Sequence, residues 1–199
     1  MSVNNMVMAA AGVVTVAAGS GWIAKLDTSA NLDIGRGIGV DGSGNVYVTG
    51  QANSSSVTTA CVFIAKYNSA GTIQWQRSLD TLSVDDIGYR IAVDATGNVY
   101  VTGRANTATA VAYAFIAKYD TSGVIQWQRK LDTTSSLDVG YGIAVDGSGN
   151  VYVTGQCVVT AAYVFIAKYD TTGVIQWQRT LDVVTLDDTG YGIAVDGSG

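Results

Sequence analysis

The sequence predicts an all-β protein built as a tandem array of four-stranded antiparallel units. Three observations predict it. Gly35, Gly88, Gly140 and Gly190 open successive copies of one block, at periods of roughly 50 to 53 residues. Each block holds four short runs of β-branched and aromatic residues, bounded by clusters of Gly, Asn, Asp and Ser. No stretch carries a helical apolar period. A period near fifty residues with four strands per copy is that of a β-propeller blade. The expected fold is therefore a β-propeller-type array, with complete repeats at 35–87, 88–139 and 140–189 and partial repeats at 22–34 and 190–199.

The elements follow in chain order. Residues 1–21 differ from the rest, with a mostly apolar, small-residue stretch from Met6 to Ala18. No Lys or Arg precedes Lys25, so the basic start of a signal peptide is missing. The stretch is also too short to span a bilayer. We expect a retained docking segment, with an unusual signal peptide as the second reading. Trp22, Leu26, Asp27 and Gly35 have the mutual spacing of Trp75, Leu79, Asp80 and Gly88, so residues 22–34 supply the last strand of an earlier unit.

Within a full copy, strand a (Ile91-Ala92-Val93) alternates branched residues with Ala or Gly, which suits the crowded hub of a radial array. The turns at Asp41–Asn45, Asp94–Asn98 and Asp146–Asn150 offer Gly and Asn for left-handed backbone positions. Strand b (Val46-Tyr47-Val48-Thr49) alternates strictly. Strand c (Phe115-Ile116-Ala117) is apolar on both faces, as a strand between two neighbouring blades should be. A second Gly turn leads to strand d (Ile125-Gln126-Trp127-Gln128-Arg129), whose polar side chains protect an outer edge from pairing with other chains. Residues 190–199 supply another strand a, at Ile193–Asp196, and the start of its turn.

Composition narrows the function. The 199 residues carry 16 Asp plus Glu against 11 Lys plus Arg, a net charge of −5 that attracts neither nucleic acid nor an anionic membrane. Histidine is absent, which removes the commonest general base and metal ligand. Cys61 and Cys157 sit at non-equivalent places, so we expect free thiols and neither a disulfide framework nor a zinc site. No cofactor is expected, and no enzymatic activity.

Several motifs have two readings. The Asp-Gly-Ser-Gly-Asn turns offer too few oxygens for a tight calcium site, so turn chemistry is expected of them. Asp85-Asp86, Asp138 and Asp187-Asp188 resemble the paired carboxylates of a glycosidase, but they recur once per repeat, whereas a catalytic pair is needed once. A structural or solvated role is expected. Trp22, Trp75, Trp127 and Trp177 occupy one strand position per copy and read as a repeated packing contact before they read as a sugar platform. Lys66, Lys118 and Lys168, inside apolar strand c, are expected to pair with an Asp or to reach a rim.

The run Gly-x-x-Ile-Ala-Val-Asp-x-x-Gly-Asn-Val-Tyr-Val-Thr-Gly, followed by Phe-Ile-Ala-Lys-Tyr-Asp-x-x-Gly, closely resembles the SBBP family of β-propeller repeats over about residues 22 to 199. The resemblance implies a propeller of the kind found in surface, secreted and viral structural proteins, with no catalytic motif to transfer. Met1-Ser2-Val3-Asn4-Asn5 and the apolar stretch after it also look like the start of tailed-bacteriophage virion proteins. Such propellers usually have more blades, so the chain is expected to be part of a longer one, a small four-bladed ring, or an open array completed by another chain.

Length and sequence vary most in the b-to-c connection, and loop tips of this kind gather on the binding face of a repeat array. In a propeller it shares a face with the d-to-a connection. The candidate binding residues there are Asn53, Ser54, Ser55, Thr58, Asn106, Thr107 and Thr160, polar and uncharged. They suit a host-surface glycan or a protein. The expected role is a non-enzymatic virion appendage, a tail fibre or adaptor, contacting other virion proteins through residues 1–21 within a homo-oligomer or larger assembly. The alternative is a secreted or cell-surface bacterial scaffold. A propeller lyase or glycosidase is the reading from another class.

Overall fold

The computed structural model describes residues 33–53, 60–79, 85–107, 111–131, 137–158, 161–181 and 187–196. The docking segment 1–21, the partial repeat up to residue 32, and Ser54, Ser55, Thr58 and Thr160 lie outside them. The described residues form twelve strands and no helix. The first unit comprises β1 (Ile34–Val40), β2 (Val46–Asn53), β3 (Ala60–Tyr67) and β4 (Ile73–Leu79). The second comprises β5 (Ile87–Val93), β6 (Val99–Asn106), β7 (Ala112–Tyr119) and β8 (Ile125–Leu131). The third comprises β9 (Leu137–Val145), β10 (Val151–Val158), β11 (Ala162–Tyr169) and β12 (Ile175–Leu181).

Each unit is an antiparallel meander in sequence order, as β1-β2-β3-β4. Among the described residues the second and third units are joined by one parallel bridge, Ala112↔Leu137, and the sheets do not close into a ring. The expected all-β array of four-stranded blades is thus what the chain adopts.

The core lies between blades, because side chains alternate across a strand and both faces of the middle strands are apolar. Tyr47, Val62, Ile64, Trp75 and Leu79 of the first blade pack on Val99, Val101, Phe115, Ala117 and Tyr119 of the second. The other face of the second blade sends Tyr100, Ala114, Ile116 and Leu131 against Val151, Val153, Phe165, Ala167 and Tyr169 of the third. Strand c contributes to both interfaces, Phe115 backwards and Ile116 forwards.

Close approach at the hub explains the glycine that opens each copy. A Cβ at Gly88 would strike the Thr49 hydroxyl of the preceding blade, and one at Gly140 would strike that of Thr102. Those hydroxyls are fixed, donating to the Phe63 and Phe115 carbonyls at 2.9 and 2.8 Å. Beside them the position after the opening glycine builds a ladder. Arg36 lies 5.2 Å over the Tyr89 ring, Tyr89 is 5.0 Å from Tyr141, and Tyr141 is 5.4 Å from Tyr191.

One expectation is corrected. Ile193–Asp196 forms no strand, because strand a is laddered by strand b of its own unit and no such neighbour lies beside it among the described residues. The segment docks all the same: Asp188 N–H donates to the Ala162 carbonyl at 3.0 Å and Gly190 N–H to that of Gly155 at 3.3 Å.

Candidate binding surface

The b-to-c connections leave the sheet where β2 meets β3, β6 meets β7 and β10 meets β11. Asn53 is in register with Ala60, Asn106 with Ala112, and Val158 with Ala162. The d-to-a connections arrive at the same rim. Ala60 N–H donates to the Asp85 carboxylate at 3.3 Å, and Asp86 N–H returns a bond to the Ala60 carbonyl at 2.9 Å. Ala162 N–H donates to Asp187 at 3.2 Å in the same way. Where Leu137 stands in place of the acid, the two segments pair by backbone as the Ala112↔Leu137 bridge. The Asn106 amide donates to the Asp85 carbonyl at 3.2 Å, so the two kinds of connection are bonded to each other.

Asn106 and Thr107 therefore act as footings. Thr107 donates its hydroxyl to the Val111 carbonyl at 2.9 Å and accepts the Val111 N–H at 3.2 Å, pinching the base of its loop. The acids are fittings of the same rim: Asp86 and Asp138 are fully buried, which replaces the solvated role with the structural one.

A second set of aspartates locks turns. The Asp41 carboxylate accepts the Ser43 and Asn45 N–H groups, the Asn45 amide and the Tyr47 hydroxyl, at 2.8 to 3.0 Å. Asp94 and Asp146 repeat this set, with Tyr100 and Tyr152 as the hydroxyl donors. Partial burial pushes the Asp94 carboxyl up, but bonds from Thr96, Asn98 and Tyr100 outweigh it and hold it below the usual range. Burial raises Tyr100, and its bond to Asp94 adds to that. Four donors on one carboxylate are a turn lock.

Lys66, Lys118 and Lys168, expected to pair with an Asp or to reach a rim, lie over aromatic rings. Each is the cross-strand neighbour of a strand-b tyrosine, and its ammonium lies 5.2, 5.2 and 4.9 Å over Tyr47, Tyr100 and Tyr152.

Trp75 and Trp127 do pack, and they grip the next blade. The Trp75 indole donates to the Thr121 carbonyl at 3.0 Å, while Arg77 donates to Gly123 at 2.8 Å and Ser122 at 3.0 Å. Trp127 and Arg129 hold Thr171, Gly173 and Thr172 at 3.1, 2.7 and 3.0 Å. Sequence reasoning missed the arginines. Their signal was present, as Trp-Gln-Arg recurs unchanged in all three complete copies. Beside this grip a groove of about 500 Å³ is lined by Lys118, Asp120, Gln126 and Trp127, with the indole N–H already engaged.

The chain is similar to an uncharacterised WD repeat-containing protein of Acanthamoeba polyphaga mimivirus, 28% identical over 117 residues. The match covers 47% of this chain and 8% of that protein, so the chain spans a small fraction of the relative's length. The repeat block is matched more directly: by residues 21–56, 78–108 and 126–156 the chain is similar to the SBBP family, described as a beta-propeller repeat.

Proposed function

We propose that the chain is a non-enzymatic structural and binding module of a bacteriophage virion appendage, a tail fibre or its adaptor. The observation that carries this reading is the single rim on which the b-to-c and d-to-a connections are bonded together. A stacked, laterally bonded scaffold fixes the feet of the loops, and the tips between Asn53 and Ala60 and between Thr107 and Val111 differ from copy to copy. Binding residues gather on such loops because the scaffold tolerates their change. The acids that would serve hydrolysis are engaged in holding turns and rims, which supports a role without catalysis. The similarity to a viral repeat protein supports a viral setting. Uncharged polar tips suit a host-surface glycan or protein, and residues 1–21 would contact other virion proteins.

Two measurements test this. Antibody labelling of purified phage should place the chain on virions; recovery only from bacterial outer surfaces would give it to the secreted scaffold instead. Exchanging residues 54–59 for the shorter 159–161 connection should leave the circular dichroism spectrum unchanged and weaken host-cell binding by about tenfold or more.

A further inference from the structure

The grip made by strand d is occupied twice and built three times. In β12, Trp177 and Arg179 stand where Trp75 and Arg77 stand in β4. The Trp177 ring holds the same edge-on relation to Tyr152, 6.3 Å, as Trp75 to Tyr47 at 6.2 Å. Among the described residues, none lies across β12 for it to hold. Leu79 and Leu131 are 3% exposed, whereas Leu181 is 47% exposed, and Ile175 and Trp177 beside it are 45% and 37% exposed. Among the described residues, Arg179 reaches only the carbonyl of its neighbour Gln178, at 2.7 Å.

We propose that the face formed by Ile175, Trp177, Arg179 and Leu181 is a docking site for one kind of β-turn, Asx-x-x-Gly, presented by a further unit of this repeat. The chemistry of the occupant is read from the two filled grips. In each, three successive carbonyls receive the indole and guanidinium donors, and a glycine at φ +75° or +79° lies against the ring. A Cβ on Gly123 would fall 2.7 Å from Trp75, and one on Gly173 would fall 2.7 Å from Trp127, so the site demands glycine at the fourth position. An intact second copy of this chain is a poor occupant. Its corresponding turn glycines, Gly71, Gly123 and Gly173, are all buried already. The proposal stands apart from the loop rim, and either can fail alone.

The test titrates the whole chain with a backbone-cyclised peptide carrying the Tyr119–Ile125 sequence. Nuclear magnetic resonance follows the indole N–H of Trp177 and the guanidinium N–H of Arg179. Both should shift and saturate, while the signals of Trp75 and Trp127 stay still. A peptide with Ala in place of the turn glycine should bind at least about tenfold more weakly. Trp177→Ala and Arg179→Ala, at exposed positions, should keep the fold and lose the response. Static Trp177 and Arg179 signals at millimolar peptide, or equal binding of the alanine peptide, would overturn the proposal. So would a concentration-dependent dimer abolished by Trp177→Ala, which would give the face to a second copy.

Discussion

At the scale of single residues, aspartates do the local work, and they do it as anions. Asp41, Asp94 and Asp146 are held below the ordinary carboxylate range by donors from their own turns, against a desolvation that acts the other way. A carboxyl lowered in the folded state stabilises fully above its unfolded pKa, and that contribution is lost as pH falls through the folded value. Thermal stability should therefore hold down to about pH 4 and decline below it, with a shallower acid slope for Asp94→Asn, measured by melting across a pH series. Glycine at the second turn is equally specific. Gly123→Ala meets both a left-handed backbone at φ +75° and the Trp75 ring, so it should cost about 1–3 kcal/mol in denaturant unfolding.

The strand-d grip belongs to the scale of elements. Trp75 is nearly buried, and Trp75→Ala should cost about 3–5 kcal/mol, whereas Trp177→Ala should stay within about 0.5 kcal/mol. Arg77→Lys keeps the charge and loses the forked pair of bonds to Gly123 and Ser122, at a cost on the order of 1–2 kcal/mol by the same measurement. This element also marks the limit of what the sequence discloses. The four strands were legible because alternation and turn residues are local signals, and strand c was legible because a strand apolar on both faces needs two neighbours. The grip joins residues more than forty positions apart, and its acceptors are main-chain carbonyls, which leave no trace in residue type. The partners of Lys66 and Lys118 were hidden for a related reason. Facing Tyr47 and Tyr100 is a matter of cross-strand register, fixed only when β2 meets β3 and β6 meets β7. The shared rim was legible, since the variable loop announces itself by length, but the acids that tie it down looked like any surface carboxylate.

For the whole molecule, the two apolar layers lie between blades, so each blade owes its stability to contacts with its neighbours in sequence. Hydrogen exchange should therefore be graded, slowest in β6 and β7 and fastest in β12, which is covered on one side only. The repeated grip has a genetic consequence. Each junction is written in the same few letters, so excising residues 88–139 would set Trp75 and Arg77 opposite Thr171 to Gly173, a cradle they already fit. Loss or duplication of one full period in a gene of this kind leaves no orphaned seam, whereas a frame-preserving deletion of half a period would leave a ring without its turn and a turn without its ring.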